Sequence, residues 1–108
     1  MKTLKVAASS KATALAGAIA WAIRQHEDVE LVAIGAGAVN QSTKAVAIAR
    51  TYLALEGLDL FLVPSFATVA TPNEDERTAL RLAVFSRAPE KPASAALPVA
   101  QPSEAKSQ

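Results

Sequence analysis

The chain predicts a small α+β domain in which strands and helices follow one another as β-α-β-α-β-β. Three observations carry that reading. Apolar residues recur at helical spacing over two stretches, about residues 12–26 and 39–55. Each stretch follows a short strand-like run, residues 4–8 and residues 29–34, the second becoming continuously apolar after Glu30. The last third holds an apolar run, a polar tip and an alternating run, which is the pattern of a hairpin. Two right-handed crossovers followed by a hairpin put both helices on one side of the sheet, so the domain is a two-layer sandwich.

The first strand is followed by Ser9-Ser10-Lys11, whose serines are expected to cap the first helix. In that helix Leu15, Ala18, Ile19, Ala22 and Ile23 share one face and should meet the sheet. Trp21 falls about 140° from the centre of this stripe by ideal helical geometry, which makes it a half-exposed aromatic or a subunit contact. His26 is expected to end the helix as a cation suited to the dipole. Lys2, Lys5 and Lys11 ahead of an apolar run resemble a secretion signal, but the strand at residues 4–7 and the serines at 9 and 10 interrupt that pattern, and a cytoplasmic location is expected.

The second strand runs into Gly35-Ala36-Gly37, and Asn40 is expected to cap the helix that follows. Backbone amides at such a helix start attract anions. The spacing is not a dinucleotide fingerprint, because the third glycine is replaced by Asn40 and a strand and a helix already precede this turn. Ala45, Val46, Ala49, Tyr52 and Leu53 should face inward on the second helix, with Asn40, Lys44, Ala47 and Thr51 outward. Gly57 supplies its left-handed end.

The third strand starts at residue 58 and continues past Pro64, which argues for a sheet edge or a bulge. The hairpin tip spans residues 71–76 and reads Thr-Pro-Asn-Glu-Asp-Glu. In the last strand Thr78, Leu80, Leu82 and Val84 point to the helices, leaving Arg77 and Arg81, with Arg87 beyond, on the opposite face. From residue 88 the composition turns to proline, alanine, serine and glutamine without apolar periodicity, so residues 1–87 are the domain and 88–108 are expected to be a disordered tail.

Composition narrows the function classes. The 108 residues carry 11 Lys and Arg against 10 Asp and Glu, a net charge of +1, so any basic surface must be local. The absence of cysteine excludes disulfides and thiolate chemistry, and with His26 the only histidine neither a transition-metal site nor a cofactor is expected. The carboxylates cluster in turns, and no serine, histidine and acid constellation can be assembled, so an enzyme is not expected.

The block from Ala33 to Gln41, then Lys44-Ala45-Val46-Ala47-Ile48-Ala49-Arg50 and Glu76-Arg77-Thr78-Ala79, with Leu4-Lys5-Val6 and Ala16-Gly17-Ala18, resembles the stage V sporulation protein S family over about residues 3–87. The resemblance implies an Alba-like fold: a four-stranded mixed sheet in the order one, two, four, three, with two helices on one face. Alba-like proteins commonly form dimers that bind DNA or RNA through the loop after strand one, the start of the second helix and the last hairpin. The family itself is linked to developmental control. It more often places a lysine where this chain has Ser9, and the acidic hairpin tip departs from a phosphate-binding arm.

Two readings of function follow. In the first, a homodimer binds DNA or RNA as a regulatory protein, with Lys11, Lys44, Arg77 and Arg81 on phosphates and Gly35, Gly37, Asn40 and Gln41 offering backbone amides and side-chain polarity. No aromatic platform for stacking single strands is evident in this reading. In the second, the chain is a scaffold whose partner is another protein, held at Trp21 or at the edge strand containing Pro64. Neither involves a membrane.

Overall fold

A computed structural model describes residues 1–70, 72–73 and 76–89. It has six elements: β1 Lys2–Val6, α1 Ala12–Arg24, β2 Val29–Ala33, α2 Ala36–Ala54, β3 Asp59–Ala70 and β4 Glu76–Arg87. The four strands form one sheet in the order β1-β2-β4-β3. β1 pairs parallel with β2, while β4 runs antiparallel to both β2 and β3. Three strands therefore point one way and β4 the other, the mixed sheet expected. The expected tip residues Thr71, Glu74 and Asp75, and the tail from residue 90, lie outside the described residues.

The core lies between the sheet and the two helices. Ile19, Leu53, Leu31, Leu60, Val29 and Val84 are its largest fully buried side chains. Leu80, Leu82 and Val84 of β4 stand opposite Ala33, Leu31 and Val29 of β2, so these strands offer one apolar face to the helices. Ala16, Ala20, Ala45 and Ala49 are fully buried too, and side chains this small let α1 lie close along α2. That neighbour turns the buried arc of α1 away from the expected stripe. Ala16 and Ala20 are buried while Leu15 and Ala18 are only half-buried, because the helix packs against α2 as well as the sheet.

Several local expectations are corrected. The serines do not cap α1: the N-cap is Lys11, with no side-chain cap, and Ser10 Oγ instead accepts from the Ala7 N–H at 2.9 Å, closing the turn before it. Asn40 is not a cap either. α2 begins at Ala36 after Gly35, whose φ of 89° and ψ of 160° favour glycine, and the Val39 N–H donates to the Gly35 carbonyl at 3.1 Å. Tyr52 is exposed, while Ala38 and Ser42 are buried in its place, and Ser42 Oγ satisfies itself on the Ala38 carbonyl at 2.8 Å.

Both helices end in the same bonded form. After α2 the Gly57 N–H donates to the Ala54 carbonyl and the Leu58 N–H to the Leu53 carbonyl, each at 3.1 Å, with Gly57 at φ 75°. After α1 the corresponding bonds run from His26 to Ile23 at 2.9 Å and from Glu27 to Ala22 at 3.0 Å. His26 thus stands where α2 uses glycine, at φ 61°, and its part in the helix end is made by its backbone. Arg24 joins the two ends by an ion pair to Glu56 at 2.7 Å.

β3 runs through Pro64 without a break in register, from Asp59 opposite Arg87 to Ala70 opposite Glu76. An edge strand tolerates this, because a proline nitrogen facing solvent forfeits no ladder bond. β2 stops sooner, with Ala33 opposite Leu80. Residues 67–70 and 76–79 therefore pair only with each other and extend beyond the sheet as a two-stranded arm.

Candidate nucleic-acid interface

The topology gathers three features at one end of the molecule. β1, β2 and β3 are mutually parallel, so the loop before α1, the turn before α2 and the arm all lie where these strands finish. Both helices begin there and run back along the sheet, which puts the positive ends of two macrodipoles beside the arm.

The loop and the turn are joined to each other. A side chain on Gly37 would bring its Cβ to 2.7 Å from Ala8 Cβ, so Gly37 serves close approach rather than an unusual backbone. Gln41, half-buried, donates from Nε2 to the Ser10 carbonyl at 2.6 Å. These two predicted contacts are therefore committed to holding the loop on α2. Gly35 stays exposed at the turn.

Lys11, Asn40 and Lys44 are exposed, and Asn40 and Lys44, four residues apart on α2, share one face. Asn40 borders an open, mainly apolar cleft of about 560 Å³ between the start of α2 and residues 78–80 of β4. Arg77 stands towards the outer end of the arm, opposite Val69 and one pair before Ala70 and Glu76. Arg81 is not brought to this end. It projects from the sheet face turned away from the helices and forms an ion pair with Glu30, which also accepts from Thr3 Oγ1 at 3.1 Å. The eight predicted residues thus divide: Lys11, Gly35, Asn40 and Arg77 share an end, Lys44 lies midway along α2, Gly37 and Gln41 are structural, and Arg81 lies elsewhere.

Trp21, 60% exposed, sits in the C-terminal half of α1, away from the arm. At that far end Asp59 is held by Arg50 at 2.7 Å and more loosely by Arg87 at 3.4 Å. The Arg50 hydrogen bond holds the Asp59 carboxyl below the usual carboxylate range, against the opposing pull of partial burial. Arg24 does the same for Glu56.

Sequence reasoning missed an aromatic pair. Phe61 of β3 and Phe85 of β4 stand directly opposite each other with ring centroids 5.4 Å apart, and the Arg87 guanidinium lies 5.3 Å from the Phe61 centroid. Alternation along β4 puts Phe85 on the face away from the leucines, but only the strand register shows that Phe61 joins it.

A family model described as Stage V sporulation protein S matches residues 2–87. The chain belongs to that family. The match spans every element from β1 to β4, so the sporulation protein S unit is the whole β-α-β-α-β-β domain, arm included. Among the described residues, no helix of this family member is long and apolar enough to cross a membrane.

Proposed function

We propose that this sporulation protein S family member is a small non-enzymatic regulatory protein that binds nucleic acid in the cytoplasm as a homodimer. The reading is carried by one observation: an arm bearing Arg77 projects at the end where both helices start, the end that also carries Lys11 and Asn40, with Lys44 further along α2 on the face of Asn40. A two-stranded arm follows a groove while helix amides and lysines meet phosphates, which favours recognition of shape over base sequence. Membership of a family named for sporulation supports a developmental role.

The charge is sparse, and Glu76 beside Arg77 weakens the arm's attraction, so affinity is modest and two copies are needed for a useful footprint. Three cations per chain give a slope of log affinity against log salt of roughly −3 for one chain on duplex DNA, and roughly −5 for a dimer. Fluorescence anisotropy at low salt with Lys44→Ala and Arg77→Ala tests this, alongside light scattering for the copy number. Each variant should lower the slope by about 1 per chain. Unchanged affinity in the double variant removes the arm end as the contact.

The second reading, a scaffold for another protein, is favoured by the exposed apolar side chains Phe66 at 81% and Leu55 at 92%. Partners that persist in a pull-down after nuclease treatment support it.

A further inference from the structure

We propose that the sheet face turned away from the helices is a platform for single-stranded nucleic acid, whose bases stack at Phe61 and Phe85. The inference rests on the nucleic-acid reading above and adds a surface for single strands to the arm that meets a groove. Both helices cover one side of the sheet, which leaves the other without a layer. Phe61, Phe85 and Val63 adjoin on this open face, and a contiguous apolar patch, unlike a lone exposed side chain, marks a binding surface. Phe61 is 38% exposed, and its neighbour Val63 is 49% exposed.

The residues on this face are arranged in rows across the strands. One row holds Phe85 and Phe61; the next holds Thr3, Glu30, Ala83 and Val63, its one carboxylate paired with Arg81; the third holds Lys5, Val32, Arg81 and Ser65. Successive rows stand about 7 Å apart, two residues along a strand. Ala83 and Val63 form a low floor between the aromatic pair and the cationic row. A single strand laid along β4 can therefore stack a base on the rings while its phosphates reach Arg81 and Lys5. A duplex cannot do this, because its bases already stack on each other.

The charges on and around this face fit a polyanion. Lys5, Arg77, Arg81 and Arg87 stand there against Glu30 and the strand-end Asp59, and Asp59 is held more closely by Arg50 of the helix layer than by Arg87. Arg87 lies against the Phe61 ring, and a guanidinium plane of this kind stacks on bases as readily as on phenyl rings. No second aromatic pair is recorded among the described residues.

The test is fluorescence anisotropy with labelled single-stranded RNA, single-stranded DNA and a duplex of the same sequence. Phe61→Leu and Phe85→Leu remove the rings while keeping the apolar volume, and urea denaturation checks that each variant folds. Each should weaken single-strand binding roughly 5- to 100-fold, the loss of one stacked base, and leave duplex binding unchanged. Val63→Glu, at a half-exposed position outside the ring pair, should weaken it too by repelling phosphate, so the test survives if a phenylalanine variant unfolds.

Tight duplex binding with no single-strand binding by the wild type overturns the platform and leaves the arm-end reading standing. Failure of the wild type to bind any of the three overturns both. Single-strand affinity unchanged by the phenylalanine variants, or a dimer that dissociates in them while nucleic-acid affinity holds, shows that the face serves another purpose and overturns the proposal.

Discussion

Replacing Gly37 by alanine places a methyl where the structure has no room. The new Cβ would lie 2.7 Å from Ala8 Cβ and 3.5 Å from Ala8 Cα, against an optimal carbon separation of about 3.5–4.0 Å. The loop must retreat by roughly 1 Å, and Ala8 has no flexible end to swing aside. Retreat is opposed by the bonds that hold this loop: Ala7 to Ser10 Oγ at 2.9 Å, Ser10 to the Ala7 carbonyl at 3.0 Å, and Gln41 to the Ser10 carbonyl at 2.6 Å. Overpacking of this kind costs about 1–3 kcal/mol, and alanine's helix preference returns at most about 1 kcal/mol. The net expectation is a loss of about 1 kcal/mol, or a Tm lower by about 4–8 °C.

Gly17→Ala is the control, because nothing lies within 4 Å of a Cβ built on that helical glycine. It should gain about 0.5–1 kcal/mol. Urea denaturation of both variants measures the two signs. Ala8→Gly added to Gly37→Ala removes the clash, so the double-mutant cycle should return a favourable coupling of about 1 kcal/mol. A Gly37→Ala protein as stable as the wild type, with no coupling to Ala8, would refute the idea that this contact seats the loop.

Other expectations can be measured the same way. His26→Gly relieves a left-handed backbone and should stabilise by about 0.5–1 kcal/mol in urea, whereas Gly57→Ala, at the equivalent place after α2, should destabilise by about 1 kcal/mol. Gln41→Leu leaves the Ser10 carbonyl without its side-chain donor; about 1 kcal/mol is lost, and amide exchange in residues 7–11 quickens. Asp59 has a folded pKa below its unfolded one, so its contribution is present above about pH 4 and disappears as pH falls through the folded value. Asp59→Asn should therefore be less stable than the wild type at pH 7, by about 1 kcal/mol or less for an ion pair of this exposure, and the difference should close under acid when both are titrated by circular dichroism.

The sequence by itself determined the order of the elements, the glycine end of α2 and the side of β4 that meets the helices, and it narrowed the proline-containing strand to an edge or a bulge. Each depends on residues a few places apart, whose spacing and backbone preference need no distant neighbour. Tertiary structure decided the rest. Ala16 and Ala20 are buried because α2 lies beside α1, Gly37 is constrained by Ala8 from another loop, and Arg81 is drawn to Glu30 by strand pairing. The same pairing sets Phe61 against Phe85. Such partners are brought together only when the sheet closes in the order β1-β2-β4-β3, so no local pattern carries a trace of them, and the candidate site was legible at its arm and helix starts but not on the open face of the sheet.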